Sequence, residues 1–551
     1  MKGNKIFDFS RVGFQDIINI MTRKINECVD ISNEMFPRLD GYISKIDWNK
    51  IINSDLYQKV LGDLGKTNEK LKNIEIVLYP NGVDDTSQIQ DAMDYCDIYG
   101  GTIKLCYGES GVFKVSNILY IGNNTTIKCE KGVKITRISD NVKAFIFCKR
   151  VQTHGGYGAV QNVTIDGGIW DMHYGTFMGN TLNFIHCSDI IVRNATFIGC
   201  RMHTIELNST NNALIENCVF KEFLYNANNK EVIQIDVAME EAVGSSGAVL
   251  DNTPSKNITI KDCKFYSDET YKASCYIGGH SNSDLRYENI KIINNEFNAC
   301  TGYSIRNIFT DGCEIVGNKF NYGHGGIYVY NDNKNFIIKD NTFIQLENNS
   351  IRFDNLIDNF VVDNNITERS KAFLLVNHSF TNLEIINNKA RDLTDRFINI
   401  ANANNNNTGE QLVIENNQFR QVTVSPINVS VAVTNLFISN NIADECTTSH
   451  MIYVLAACQN VYITNNVFKN VNASAITVYR CKKVFIKNNT IIQATTGDNT
   501  KYLINLSNTY PDGVNALIKD NDLLGNNITP IRSDGYSTAY AINNTFNYNS
   551  L

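Results

Sequence analysis

"NIKIINNEF", residues 289–297, returns as "NFIIKDNTF" at 335–343, "QLVIENNQF" at 411–419, "NLFISNNIA" at 435–443, "NVYITNNVF" at 460–468 and "KVFIKNNTI" at 483–491. Each copy alternates apolar and polar residues, then has Asn-Asn or Asp-Asn, then an apolar residue that is often Phe. The marker position before x-Phe falls at 195, 218, 263, 295, 318, 341, 365, 388, 417, 441, 466, 489, 521 and 544. The steps are mostly 23 to 25, with longer ones of 29, 32 and 45. Self-similarity at this period marks a stacked repeat.

A second short strand precedes each phrase by some 10 to 15 residues: "HTIELN", "VIQIDV", "YSIRNI", "GIYVYN", "SIRFDN", "AFLLVN", "AITVYR". Two or three strands in 23 residues leave no room for a helix. That describes one coil of a parallel β-helix, with strands pairing between coils about 4.8 Å apart. Asn pairs suit the bends, because Asn tolerates left-handed backbone, and stacked Asn side chains can bond coil to coil. A leucine-rich horseshoe is excluded by the missing L-x-x-L-x-L signature. The 45-residue step is either two short coils or one coil with a long insertion.

Residues 1–75 read differently. Ile17, Ile18, Met21, Ile25 and Val29 lie at helical spacing, which predicts a small helical head whose apolar faces need partners. Residues 76–551 form the β-helix domain. At its start, Asp85 and Thr86 are placed to cap a helix that Gly100-Gly101 would stop.

Composition narrows the function. The net charge is −7, with no basic block, which speaks against a nucleic-acid partner. No apolar run approaches 18 residues, so no membrane span is expected. The first residues carry no signal-peptide stretch, so synthesis in a cytosol is expected. The 15 cysteines include no C-x-x-C pair and stand at repeat positions, as in "IENCVF" and "IKDCKF". They read as buried thiols of a stacked core.

The segment "NGVDDTSQIQDAM…YGGTIKLCYGESGVFKV…NNTTIKCEKGVKI" (81–135) resembles the start of the pectate-lyase-like right-handed parallel β-helix superfamily, and "NVTIDGGIWD" (162–171) is similar to the same group. "HTIELNSTNNALIENCVF" followed by "EVIQIDVA" resembles phage tailspike and tail-appendage depolymerases that act on Gram-positive hosts. The resemblance implies a homotrimer on a virion tail, made in the host cytoplasm. The head would bind tail or connector proteins. The β-helix would bind, and cleave, a host cell-wall polysaccharide such as teichoic acid or capsule.

A candidate site follows from stacking the second strands on a shared Ile. If Ile205, Ile235, Ile277 and Ile305 share a column, the outward neighbours are Glu206, Asp236, Gly278 and Arg306. Thr204, Gln234, Tyr276 and Ser304 would flank them, and His280 follows two residues after Gly278. Two stacked carboxylates repel, which raises one pKa and offers an acid beside a base, as glycosidic cleavage needs. This makes Asp236, Glu206 and His280 the catalytic candidates. Gly278-Gly279 would leave room for a sugar ring. Gln234, Arg306, Tyr276, Tyr328, Tyr330 and Arg352 are substrate-binding candidates, the Arg for an anionic group and the Tyr for sugar stacking. The resemblance to the polygalacturonase branch carries over to Glu206, Asp236, His280 and Arg306 by position. This chain departs from it: Glu replaces the first Asp, a single Asp stands in "IDV", and Lys is missing from "SIRNI". Trp170 and His173 could line one end of the cleft. The Gly-His-Gly at Gly323, His324 and Gly325 reads as a bend. No cofactor is expected for hydrolysis; Ca²⁺ would enter only with elimination. A binding protein without catalysis is the alternative reading.

Overall fold

The computed structural model describes residues 74–548, apart from 141–143, 176–178, 225–229, 244–245, 281–284, 309, 403–405, 447–449, 495–501, 508–514, 526–529 and 535–537. The expected helical head lies outside the described residues, but for its last two positions. Among the described residues the α-helices are Thr86–Tyr99 and the single turn Glu240–Val243; nearly everything else regular is strand.

Every ladder pairs one coil with the next in parallel, as the repeat predicts. One wall stacks Leu182, Ile205, Ile233, Ile277, Ile305, Ile327, Ile351 and Leu374 in register. A second stacks Ala213, Ile258, Ile290, Cys313, Phe336, Phe360 and Leu383. The third stacks Phe197, Phe220, Phe265, Phe297, Phe320 and Phe343. These Phe rings face inward one per coil, with neighbouring centroids 4.7–5.2 Å apart. The fold is a parallel β-helix, and its three walls enclose one continuous apolar core.

The paired Asn residues do two different jobs. The first adopts left-handed backbone at the bend, as at Asn294, Asn364, Asn387, Asn416, Asn440, Asn465 and Asn488, where φ is 51–59°. The second turns into the coil and is buried. From Asn295 to Asn521 each backbone N–H donates to the Oδ1 of the next coil's Asn at 2.9–3.0 Å. Each side-chain amide also reaches back to a carbonyl of the previous coil, such as Asn388 Nδ2 to Val362 O at 2.8 Å. Cys218 and Cys263 occupy this column at its foot, and the Cys263 N–H still donates to Asn295 at 2.9 Å. The 14 described cysteines are free, and all but Cys129 are buried, as their repeat positions imply.

The Thr86–Tyr99 helix ends at Gly100, where φ is 71°. Asp85 does not cap it through its side chain. Its carboxylate instead accepts from the backbone N–H groups of Asn81 and Lys114, both at 2.8 Å, tying the helix entry to the strand Val112–Val115.

The 45-residue step is one coil with an insertion, since Val219 pairs directly with Lys264. The inserted residues 237–255 close on themselves through a Val237–Pro254 bridge. They dock on the loop at 150–158: the Val249 N–H donates to Val151 O at 2.9 Å, and Tyr157 Oη to Pro254 O at 2.8 Å. The buried His186 ring sits between Gly156 O (2.9 Å) and Val249 O (2.8 Å), pinning both segments.

Candidate functional site

At the head of each first-wall strand two successive residues turn inward: Thr204 and Ile205, Val232 and Ile233, Tyr276 and Ile277. All six are 3 % exposed or less. The outward positions are therefore His203, Glu206 and Asn208 in one coil, Glu231, Gln234 and Asp236 in the next, and Cys275, Gly278 and His280 above. The observed register corrects the expected stacking. Ile205 pairs with Ile233, not Ile235, so Glu206 lies beside Gln234, and Asp236 beside Asn208. Both Ile233 and Ile235 face the core, so a shift of two residues preserves the hydrophobic pattern and the sequence alone could not fix it. Glu206 and Asp236 still share one outer face, but in neighbouring columns.

Glu206 is 5 % exposed. It accepts from Asn208 Nδ2 (2.9 Å), from Asn183 Nδ2 (2.7 Å) and from the Asn180 amide. Burial raises its pKa and the amide donors lower it; the charge of Asp236 adds to burial, and the balance lies at about 7. Asp236 is fully buried. It accepts from the His280 N–H (2.7 Å), Tyr287 Oη (3.0 Å), His280 Nδ1 (2.8 Å) and the Gln234 amide. Burial pushes the His280 pKa down, but the bond and charge of Asp236 and the charge of Glu231 outweigh it, so the imidazole stands above its usual value. The His280 side chain is 28 % exposed, and its Nδ1 is taken by Asp236.

Glu231 heads the middle strand and was not singled out from sequence. It is fully buried and ion-paired with Arg306. His203, which strict alternation would turn inward with Ile205, instead points outward: its Nδ1 lies 2.7 Å from Glu231 O and 3.9 Å from the carboxylate. Burial lowers its pKa to about 4, so it is neutral near pH 7. The signals for this group were the acid opening "EVIQIDV" and the His opening "HTIELN". The two-inward corner that exposes both is a backbone feature no residue type announces. Tyr287, also missed, sits on another strand, 51 residues beyond Asp236.

Three further expectations are corrected. Tyr276 is not a surface residue: its ring is buried in the core, 5.2 Å from Phe265 and 5.9 Å from Phe297. Gly278-Gly279 leaves no room for a sugar. A Cβ at Gly278 would lie 2.9 Å from Glu231 Cγ, and one at Gly279 2.1 Å from Ile235 O. Trp170 packs in the core against Phe145 and lines no cleft. His173 is held by Asp171 at 2.7 Å.

Above Arg306 the same outer column continues in register with Tyr328 and Arg352. Tyr328 donates to Asp354 (2.9 Å), and Arg352 makes two bonds to the same carboxylate (2.8 and 2.6 Å) while lying 5.3 Å over the Tyr328 ring. Tyr303 and Tyr330 flank Tyr328 at 5.2 and 5.6 Å, and Tyr330 is 41 % exposed. His324, at the bend, is seated edge-on against Tyr303. Among the described residues, no three His, Cys, Asp or Glu side chains converge as a metal-ligand set. No described helix is long and apolar enough to cross a membrane.

The profile of a family described as a right-handed β-helix region matches residues 228–390. No curated protein sequence matches the chain. Some solved structures are similar to it at low identity. A tailspike-protein double mutant of E. coli bacteriophage HK620 is 12 % identical, covering 78 % of each chain with a TM-score of 0.43. The surface adhesin PfbA of Streptococcus pneumoniae is 16 % identical over 79 % of this chain and 91 % of that one, with a TM-score of 0.40. A polygalacturonase of Erwinia carotovora is 12 % identical over 68 % and 92 %, with a TM-score of 0.35.

Proposed function

We propose that this outer face binds a carbohydrate polymer and hydrolyses its glycosidic bonds. The observation that carries the reading is the placing, on one outer face two coils apart, of two proton-transfer groups: Glu206, with a pKa of about 7, and His280, held above its usual value by Asp236. His280, the more exposed of the two, gives a proton through Nε2 to the leaving glycosidic oxygen. Glu206, as carboxylate, takes a proton from the water that attacks the anomeric carbon. Asp236 fixes the tautomer of His280 through Nδ1 and stabilises its charge. It replaces the role of second acid that the sequence suggested, because its four bonds and full burial leave it no contact with substrate. Tyr328, Tyr330 and Arg352 supply an aromatic and polar track for sugars bound farther along the coils.

The test is release of new reducing ends from defined polymers. Wild type should generate them, while Glu206→Gln and His280→Asn should each lose at least 100-fold. Equal rates in all three proteins would end the proposal. The near-complete burial of both carboxylates favours a second reading, a polymer-binding protein without turnover; binding with unchanged chain length would select it.

We further infer, from the resemblance of 81–135, 162–171 and the "EVIQIDVA" region, that the polymer is a glycopolymer of a bacterial surface such as a capsule. The protein would then be a tail appendage or tailspike of a phage, attached through 1–75 and trimeric. Purified protein should compete with phage for adsorption to such cells; undiminished adsorption at saturating protein would count against this placement.

A further inference from the structure

His280 is gripped from two walls of the coil. Tyr287 opens the second-wall strand Tyr287–Ile293 and is 3 % exposed. Its Oη lies 3.0 Å from Asp236 Oδ1 and 2.5 Å from the backbone carbonyl oxygen of His280. Asp236 Oδ1 also accepts from the His280 backbone N–H at 2.7 Å, and Asp236 Oδ2 lies 2.8 Å from Nδ1. The main chain of His280 is therefore held on both sides, at its N–H by the carboxylate and at its C=O by the phenol. The ring is set by Nδ1.

The phenol has one hydrogen to give and two acceptors that want it. Burial, with the charge of Asp236 behind it, keeps the Tyr287 pKa well above the usual tyrosine value, so the hydrogen stays on the hydroxyl. A carboxylate draws a donor more strongly the more charge it carries. With His280 neutral, Asp236 keeps its full charge and takes the hydrogen. With His280 protonated, part of that charge is met through Nδ1, and the His280 carbonyl competes better for the same hydrogen. The hydroxyl thus stabilises the neutral imidazole more than the protonated one, and makes His280 the stronger acid.

The other groups acting on the ring come from the first wall. Beyond burial and Asp236, the charge of Glu231 favours protonation of His280 and that of Arg306 disfavours it. Glu206 and His203 also feel the charge of His280. The Gln234 amide lies 2.8 Å from Nδ1. Tyr287 approaches from the second wall and touches both the carboxylate and the main chain that hold the ring.

We propose that Tyr287 is a positioning residue for the proposed proton donor: its hydroxyl fixes the His280 main chain and, by sharing one hydrogen between Asp236 and the His280 carbonyl, strengthens His280 as an acid. Its use in catalysis rests on the hydrolytic reading above; its effect on the ring needs no substrate. The first test is therefore an NMR titration of the histidine ring protons in the full-length protein, with the His280 signal identified by its loss in His280→Asn. Tyr287→Phe keeps the aromatic ring and removes the donor, so the proton affinity of His280 should rise by about threefold or more. A 3-fluorotyrosine at position 287 is a more acidic phenol of nearly the same shape, so it should lower that affinity. A mere packing role gives no such opposite shifts, because a loosened Asp236–His280 pair lowers the affinity in both proteins. In the reducing-end assay, Tyr287→Phe should move the alkaline limb of the pH profile upward by the same factor and lower the maximal rate at least fivefold. The proposal is overturned if Tyr287→Phe leaves the His280 affinity unchanged or lowers it, or if the fluorinated protein fails to lower it. If both shifts appear while the wild type releases no reducing ends from any polymer, the hold of Tyr287 on His280 stands and the hydrolytic reading falls.

Discussion

Asn416 and Asn417 are identical neighbours whose replacement should have opposite consequences. Asn416 is exposed and holds φ at 56°. Glycine there relieves the left-handed strain and should leave stability within about 0.5 kcal/mol, while alanine should cost about 1 kcal/mol. Asn417 is fully buried, and its side chain holds four bonds. Its Oδ1 accepts from Asn388 N (2.9 Å) and Asn388 Nδ2 (3.0 Å), and its Nδ2 donates to Ile385 O (2.8 Å) and Asn441 Oδ1 (3.0 Å). Asn417→Ala strands the Asn388 N–H and the Ile385 carbonyl inside the core, at about 1–2 kcal/mol each, and removes two amide–amide bonds worth roughly 0.5–1 kcal/mol each. The expected loss is about 4 kcal/mol. A long solenoid need not unfold in one step, so the fitting assay is native-state hydrogen exchange. The amides of 383–386, 388–393 and 412–415 should lose protection by about 10²–10³-fold in Asn417→Ala, with distant coils unchanged. Asn417→Asp should be as damaging, since a carboxylate cannot donate to Ile385 O. If Asn416→Gly and Asn417→Ala proved equally mild, the inward amide column would not be what holds successive coils together.

Other outcomes follow from the site. The pKa of Glu206 is raised in the folded state, so its contribution to stability is complete below about 4.5 and is lost as pH rises through about 7. Glu206→Gln should therefore gain on wild type across that window, by up to about 3 kcal/mol, and urea midpoints at pH 4.5 and 8 would show it. Rate against pH should be bell-shaped, with an acid limb near 7 from Glu206 and an alkaline limb from His280. Asp236→Asn should lower the His280 pKa, read from its ring protons by NMR; an unmoved value would contradict the Asp236–His280 pairing. Gly278→Ala should cost about 1–3 kcal/mol through its clash with Glu231 Cγ and Arg306 O, detectable as a lowered melting temperature.

The coils were legible because one residue type recurs where the backbone demands it. Asn294 bends the chain, Asn295 ties it to the next coil, and Phe297 fills the core; each requirement has a single-residue signature. The site was legible as a neighbourhood and not as a geometry. Glu206, Asp236 and His280 stand out as polar residues in apolar strands, and they share a face. Their pairing depends on which Ile meets which, and "VIQID" offers Ile233 and Ile235 equally. Tyr276 was misread for a related reason. At the strand head two residues in a row turn inward, so alternation counted back from Ile277 places Tyr276 outside. Tyr287 could not be found at all, because it reaches Asp236 only through the closure of the coil.

The charges on the proposed carbohydrate face limit what kind of polymer it would grip. Arg306 was read as an anchor for an anionic group, but its guanidinium is matched by Glu231, which is fully buried and cannot swing away into solvent. Arg352 is matched in the same way by Asp354, which also holds Tyr328 and Asn377. An acidic sugar seeking either Arg would have to strand a carboxylate, and in the case of Glu231 a buried one, which costs several kcal/mol. The same pairs keep the outer face rigid, since each Arg joins its own strand to a neighbouring residue or coil. Recognition on this face, on the proposed reading, would therefore fall to neutral contacts, hydroxyl groups against the Tyr328–Tyr330 edge and amides.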